Sequence, residues 1–459
     1  MPIHNRRMMH CILLFLFALA LRLLYANLVL EQFAELPATD QNSYEMGYLA
    51  PDSFGYLESA GELMKGHIGR AISLFSPIGY PAFLALLGAN PTATLYVQAL
   101  LLSLIPVCTF LLVTVITDNN LLSSTAGLVS SISPSGIAIS SLILSDALFA
   151  SLFAVLFTAL VYGTLRASLP WVLFSAIVSG PTILVKPILL FWPVVAVMVS
   201  ALIAASQDGS RNGLWRWPRI DKSRRTQMLV LFFVPMVFMM SWAELNYVKN
   251  GIFTVSIRGD KALREYLAIR AEEWGMAGHI PSVAAIKHNQ DVLRKRLETL
   301  PVQELSHAYV SESIAIFKTY PIQTIKAFAK DALENATDGW EYFAQQLPLS
   351  QHQLGKVFSR ISNCEARLRK IALLVILFAP CIGLIAVRGN PSPYERKLVS
   401  ILIAMTLTFL CFATLSGTTF WTGPRIVYPA EILGISTTAM LLAVLARVIG
   451  QPKTIKLAG

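Results

Sequence analysis

Asp52 stands in Pro51-Asp52-Ser53-Phe54-Gly55-Tyr56, a polar stretch that follows the first apolar run of the chain. A carboxylate placed there could take the proton of a hydroxyl nucleophile. A phosphate leaving group would need no acid, but it would need positive charge to hold the charge left on it. Lys186 (in Val185-Lys186-Pro187) and Arg425 (in Gly423-Pro424-Arg425-Ile426) are candidates for that task, as are Arg258 and Arg264 just past a later apolar run. A lysine binds phosphate as a point charge, an arginine as a fork. Asp146, in Leu144-Ser145-Asp146-Ala147, is a second acid, able to hold an acceptor or a cation near Asp52. Tyr56 and Tyr80 supply rings near Asp52 of the sort that stack on sugars.

Each of these residues also has a plain structural reading. Asp52 or Ser53 could cap a helix, and so could Ser145 or Asp146. Lys186 could snorkel to headgroups, and Arg425 could anchor the chain beside an aromatic belt. Arg22 lies well inside the first apolar run, where an arginine is either functional or one half of an ion pair that holds the bundle. Arg294-Lys295-Arg296 reads as a solvated helix face.

The elements that must position these groups are membrane helices. The 459 residues are 55% hydrophobic and 14% charged, against about 25% charged in soluble domains. Runs of roughly 20 apolar residues recur, each long enough to cross a hydrocarbon core, and none alternates with the period of two that an outer-membrane barrel requires. Ten spans are expected, at about 10–30, 92–116, 121–142, 145–165, 170–185, 188–205, 227–248, 370–387, 398–416 and 427–447. The first follows Arg6 and Arg7 but is long for a signal peptide and has no small-residue cleavage site after it, so it is read as a retained helix.

Short segments on one side carry fifteen basic residues (Arg6, Arg7, Arg166, Arg211, Arg216, Arg219, Lys222, Arg224, Arg225, Arg388, Arg396, Lys397, Arg447, Lys453 and Lys456), whereas the turns on the other carry only Lys186 and Arg425. The positive-inside rule therefore puts both termini in the cytoplasm and Asp52, Asp146, Lys186 and Arg425 on the outer face. Two outer segments exceed turn length, 31–90 and 249–368. The chain thus divides into an N-terminal transmembrane module (1–248, with the Asp52 loop at 31–90), an extracytoplasmic, mostly helical segment (249–368) and C-terminal transmembrane helices (369–459). Ile286–Leu300 and Leu305–Phe317 are amphipathic at helical spacing and would lie on the membrane surface or form a small cap.

The net charge of +10 needs no nucleic acid to explain it, since membrane orientation and anionic lipid account for basic loops. Cysteines 11, 108, 381 and 411 sit in apolar runs and Cys364 outside one, with no disulfide framework or zinc spacing. No cofactor is fixed by the pattern. A divalent cation bridging carboxylate and phosphate is compatible with it, but Asp52-Ser53 offers no strong ligand cluster.

Taken in order, the Asp52–Tyr56 loop, Ser76-Pro77-Ile78-Gly79-Tyr80-Pro81, Ile132-Ser133-Pro134 through Ser145-Asp146-Ala147-Leu148-Phe149, Val185-Lys186-Pro187 and late Arg425 with Pro429 resemble the GT-C membrane glycosyltransferases, of the kind that includes protein O-mannosyltransferases and lipid A aminoarabinose transferases. The resemblance covers residues 10–205 and 420–435. It implies an all-α bundle of about ten transmembrane helices, with transfer of a sugar from a polyprenyl-phosphate or polyprenyl-pyrophosphate carrier to a glycan, lipid or protein hydroxyl outside the cytoplasm, in a bacterial inner membrane. Asp52 then matches the catalytic acid of the first loop, Asp146 the second acidic position and Lys186 a basic position facing the donor phosphate. Two positions depart from the pattern. An acid pair is replaced by Asp52-Ser53, and a basic residue by Ser76, for which Arg70 or Arg425 could substitute. The competing reading is a polytopic transporter or lipid-linked-glycan flippase, which should carry its charges near the bilayer midplane and show internal repeats. No repeat is visible in the sequence.

Overall fold

A computed structural model of the chain describes residues 3–35, 48–207, 221–297, 299–337, 353–386, 392–419 and 427–450, and all regular structure among them is helical. Seven helical stretches are long and apolar enough to cross a membrane: Asn5–Glu31, Pro91–Thr117, Ser145–Leu165, Lys222–Asn250, Asn363–Ala386, Pro393–Ser416 and Tyr428–Arg447. Two shorter apolar helices, Leu169–Val185 and Trp192–Gln207, accompany them. The chain is thus built as a multi-pass membrane protein.

The first half comprises α1 (Ile3–Glu35), α2 (Pro51–Met64), α3 (Ile68–Ala71), α4 (Gly79–Leu86), α5 (Pro91–Leu102), α6 (Leu104–Thr117), α7 (Asn120–Ser131), α8 (Pro134–Ser140), α9 (Ser145–Leu165), α10 (Leu169–Val185), α11 (Trp192–Gln207) and α12 (Lys222–Asn250). The serine-rich span expected at 121–142 is divided into α7 and α8 at Pro134, which takes the first helical position of α8 while Ser133 caps it by accepting from Gly136 N. Proline lacks an N–H and clashes with the preceding turn, so it starts a helix more readily than it continues one. The central helix is α9. Its buried Phe149, Phe153 and Phe157 form an aromatic column with Trp192 and Phe412.

Between α12 and the last helices lies a helical cap: α13 (Arg258–Ala262), a π turn (Leu263–Ala268), α14 (Ile269–Ala277), α15 (Val283–Leu297), α16 (Val302–Thr319) and α17 (Pro321–Thr337). It has a core of its own, in which Ile257, Ile269, Ile286, Leu293, Leu297, Leu305 and Tyr309 close on Leu74. The amphipathic pieces therefore form a cap, with their apolar faces turned onto each other. The chain returns through α18 (Gln353–Ala386), α19 (Pro393–Ser416) and α20 (Glu431–Gly450). Helix α18 is continuous across residue 369, so the boundary expected there falls inside a helix, and Cys364 lies within the apolar stretch. Ser392 and Glu395 cap α19 reciprocally, with Pro393 in its first turn, a pairing that satisfies otherwise orphaned N–H groups.

The helices give the molecule two ends. Ser145 begins α9 beside Tyr56, and Arg166 follows the last residue of the same helix. At 1.5 Å per residue these lie about 30 Å apart. Arg7 near the start of α1 pairs with Asp118 just past α6 at 2.6 Å, which marks the end opposite Asp52.

Candidate functional site

Asp52 occupies the first turn of α2, but it is not the cap. The N-cap is Ala50, and Ser53, the third residue of the helix, reaches back to accept from Ala50 N at 2.8 Å. The Ser53 hydroxyl donates in turn to Ile143 O at 2.7 Å, and Ile143 N donates to Tyr48 O at 2.9 Å. The start of α2 is thus fastened to the segment that leads into α9. That releases the Asp52 carboxylate from capping and leaves it 29% exposed.

Its partner comes from the cap. Arg258 Nη2 lies 2.8 Å from Asp52 Oδ2, and Arg258 Nη1 donates to the Tyr56 hydroxyl at 3.2 Å. One guanidinium fork thereby grips two groups a helical turn apart on α2. Interaction with Tyr56 and then with Asp52 holds the guanidinium above its ordinary value against the cost of desolvation, so it stays cationic. The segment before it explains its placement. Ile257 N donates to Leu74 O at 2.9 Å, Ser256 Oγ to Phe75 O at 3.2 Å, Trp242 Nε1 to Val255 O at 3.2 Å and Asn246 Nδ2 to Thr254 O at 2.7 Å. The chain leaving α12 is therefore laced to residues 72–75 before α13 begins.

From Tyr56 the polar path continues inward. The Tyr56 hydroxyl is 3.2 Å from Ser145 Oγ. Next to Ser145 is Asp146, fully buried and ion-paired with the Lys186 ammonium, which is 15% exposed and also lies 5.7 Å over the Phe149 ring. Tyr56 and Tyr80 meet edge to face at 4.9 Å, and Tyr80 donates to Gln98 Oε1 at 2.7 Å while Gln98 Nε2 donates to Leu142 O. Both tyrosines are buried. Their rings and hydroxyls brace the site from behind, and neither presents an open face for sugar stacking. Burial first, then Tyr56 and Asp146, push the Tyr80 hydroxyl well above its usual range, so it remains a neutral donor.

Gly79 brings Lys186 here. A Cβ on Gly79 would fall 2.6 Å from Leu184 C and Val185 N, so α4 can lie against the end of α10 only with glycine at this position.

The other sequence candidates fall elsewhere. Arg22 is fully buried, donating to Ala18 O and Ser131 O at 3.1 and 3.3 Å. A Cβ at Gly136 would meet both its Nη2 and the Tyr428 hydroxyl. Nearby, Arg369 bridges Glu365 and Glu431 at 3.0 and 3.1 Å, and the Ser135 hydroxyl donates to Glu365 at 2.6 Å. This second polar cluster ties α1, α8, α18 and α20 together. Arg264 pairs with Glu312 at 2.9 Å, and Arg70 lies on the surface 3.8 Å from Glu62, so neither joins the site. Arg425 lies outside the described residues.

Of the run Arg294-Lys295-Arg296, Lys295 and Arg296 are exposed as expected, whereas Arg294 is half-buried. Arg294 holds the fully buried Glu265 at 2.9 Å, and Arg296 holds Glu312. Sequence reasoning missed Ser145 as a partner of Tyr56 and Gln98 as a partner of Tyr80. It also missed Tyr266, whose hydroxyl is pushed up by burial and then by Glu265, with Arg258 and Arg294 opposing and Asp52 adding. Gln98, a lone amide in an apolar run, was the signal available. Among the described residues no group of three or more His, Cys, Asp or Glu could hold a metal ion. No protein-family model matches the chain, and no curated protein is significantly similar to it.

Proposed function

We propose that this protein is a membrane glycosyltransferase of GT-C-like architecture that moves a sugar from a polyprenyl-phosphate or polyprenyl-pyrophosphate carrier to a hydroxyl acceptor on the extracytoplasmic face. The observation that carries this reading is the pairing of a partly exposed carboxylate, Asp52, with a partly exposed arginine, Arg258, at one end of an apolar helical body. Counting the two short apolar helices and the broken α7–α8 pair with the seven long stretches accommodates the ten passes expected from the sequence.

In this scheme Asp52 takes the proton of the acceptor hydroxyl as its oxygen attacks the anomeric carbon. The bond from that carbon to the phosphate oxygen breaks, and the phosphate keeps the electron pair. Arg258 faces the phosphate, the role that the sequence pattern suggested for Lys186. Lys186 is already engaged by Asp146 and serves to fix the ends of α9 and α10 behind the site. Because Asp146 is buried and paired, a second carboxylate is not presented as a nucleophile, which favours single displacement with inversion.

The test is transfer by the purified, reconstituted protein from a radiolabelled polyprenyl-phosphate sugar into cell-envelope acceptors. Asp52→Asn should insert and fold normally and lose about 10²–10⁴ in rate, the usual weight of a positioned base. Wild-type rates in that variant would remove the central claim.

A further inference from the structure

At the end of the molecule opposite Asp52, Lys397 and Arg447 meet at one ring with Arg166 at the same end, and among the described residues no carboxylate pairs with any of the three. Tyr394, in the first turn of α19, has the Arg447 guanidinium 3.9 Å from its ring centroid and the Lys397 ammonium 5.7 Å away. Its hydroxyl donates to Thr117 O at 3.0 Å, and Lys397 Nζ donates to Val115 O at 3.1 Å, so ring and ammonium are both fixed to the end of α6. Arg166, just past α9, lies close enough to Lys397 for the two charges to repel, and its own guanidinium rests over the Tyr162 ring.

None of Arg166, Lys397 and Arg447 has an ion-pair partner among the described residues. The acid within electrostatic reach, Asp118, is held by Arg7 at 2.6 Å. Like charges held together by ring and carbonyl contacts are costly unless an anion joins them. They sit where apolar helices end, at the depth of lipid headgroups, and anionic headgroups are the counter-charge available there.

We infer that Lys397 and Arg447, arranged around Tyr394, with Arg166 over the neighbouring Tyr162 ring, form a binding site for the headgroup phosphate of an anionic glycerophospholipid. The apolar flanks of α9, α19 and α20 would receive its acyl chains. This site is independent of the Asp52 chemistry, and neither reading needs the other.

The full chain is reconstituted in nanodiscs containing phosphatidylglycerol and phosphatidylcholine, and the lipid kept on release is counted by native mass spectrometry. Phosphatidylglycerol should be retained preferentially. Arg447→Gln, at an exposed helix end, should lower that preference about fivefold, the weight of one interfacial cation, and Lys397→Gln should do likewise. Arg225→Gln, an exposed cation at the same end, should leave it unchanged, and free glycerol phosphate should not displace the lipid. Equal retention of the two lipids would overturn the inference. So would an equal loss in Arg225→Gln, which would mean bulk charge alone, or displacement by glycerol phosphate, which would assign the cluster to a soluble anion.

Discussion

The ion pair of Asp146 with Lys186 turns one expectation around. Read from sequence, Lys186 was a cation offered to a phosphate or one that snorkels to headgroups. In the fold its removal takes the ammonium away from a fully buried carboxylate, and breaking a buried pair from one side costs about 3–5 kcal/mol. Lys186→Met should therefore lower the thermal midpoint sharply. The double variant Asp146→Asn with Lys186→Met should recover most of that loss, because no charge remains uncompensated. A thermal-shift series over the two single variants and the double variant measures the coupling, and additive losses would show that the pair is not energetically linked. The two partners were individually legible because a lone acid and a lone base at apolar-run ends stand out. Their pairing was not legible, since 40 residues separate them and no periodicity relates helix starts to helix ends. Arg258 was harder still to rank. It meets Asp52 across 206 residues, and in sequence it differs little from Arg264, which pairs with Glu312 instead.

Helix α4 shows what a single element contributes. The stretch Ser76-Pro77-Ile78-Gly79-Tyr80-Pro81 was recognisable as a motif, yet its physical content appears only in the packing. Gly79 admits the backbone of Leu184 and Val185, and one residue on, Tyr80 points to Gln98 and Tyr56. Gly79→Ala places a methyl group against backbone atoms, which cannot rotate away as a side-chain tip can. Overpacking of this kind costs about 1–3 kcal/mol. The variant should be less stable and should shift α4 away from α10, which increased hydrogen exchange at 79–86 and 182–186 would report. Unchanged exchange there would contradict the close approach. Helix existence was legible throughout because hydropathy drives it. The interruption between α7 and α8 was signalled by Pro134, and the break at Ser103 between α5 and α6 is followed by Pro106 in the first turn of α6. The cap was visible only as amphipathic pieces. Its assembly rests on pairs such as Glu265 with Arg294, which spacing does not announce.

At the scale of the whole molecule, the charge bias along the chain and the arrangement of its two ends agree. Arg7, Arg166, Lys397 and Arg447 cluster at one end, and Asp52, Arg258 and the cap at the other. On the positive-inside rule the first end is proposed as the cytoplasmic one. In a cysteine-free background, Lys222→Cys should therefore be shielded from a membrane-impermeant thiol reagent applied to intact cells, and His279→Cys, on the exposed surface past α14, should react. The opposite pattern would reverse the orientation and with it the proposed side of transfer.

The Arg258–Asp52 bridge also sets an order of events in the life of the chain. Its two halves leave the ribosome far apart, and the earlier one must wait while the apolar helices from α5 to α12 are laid down behind it. Until the segment after α12 is laced along residues 72–75, Asp52 has no guanidinium and Tyr56 has lost one of its two hydroxyl partners. On the proposed reading of Asp52, nascent chains that stop short of α13 would hold an inserted but inert loop.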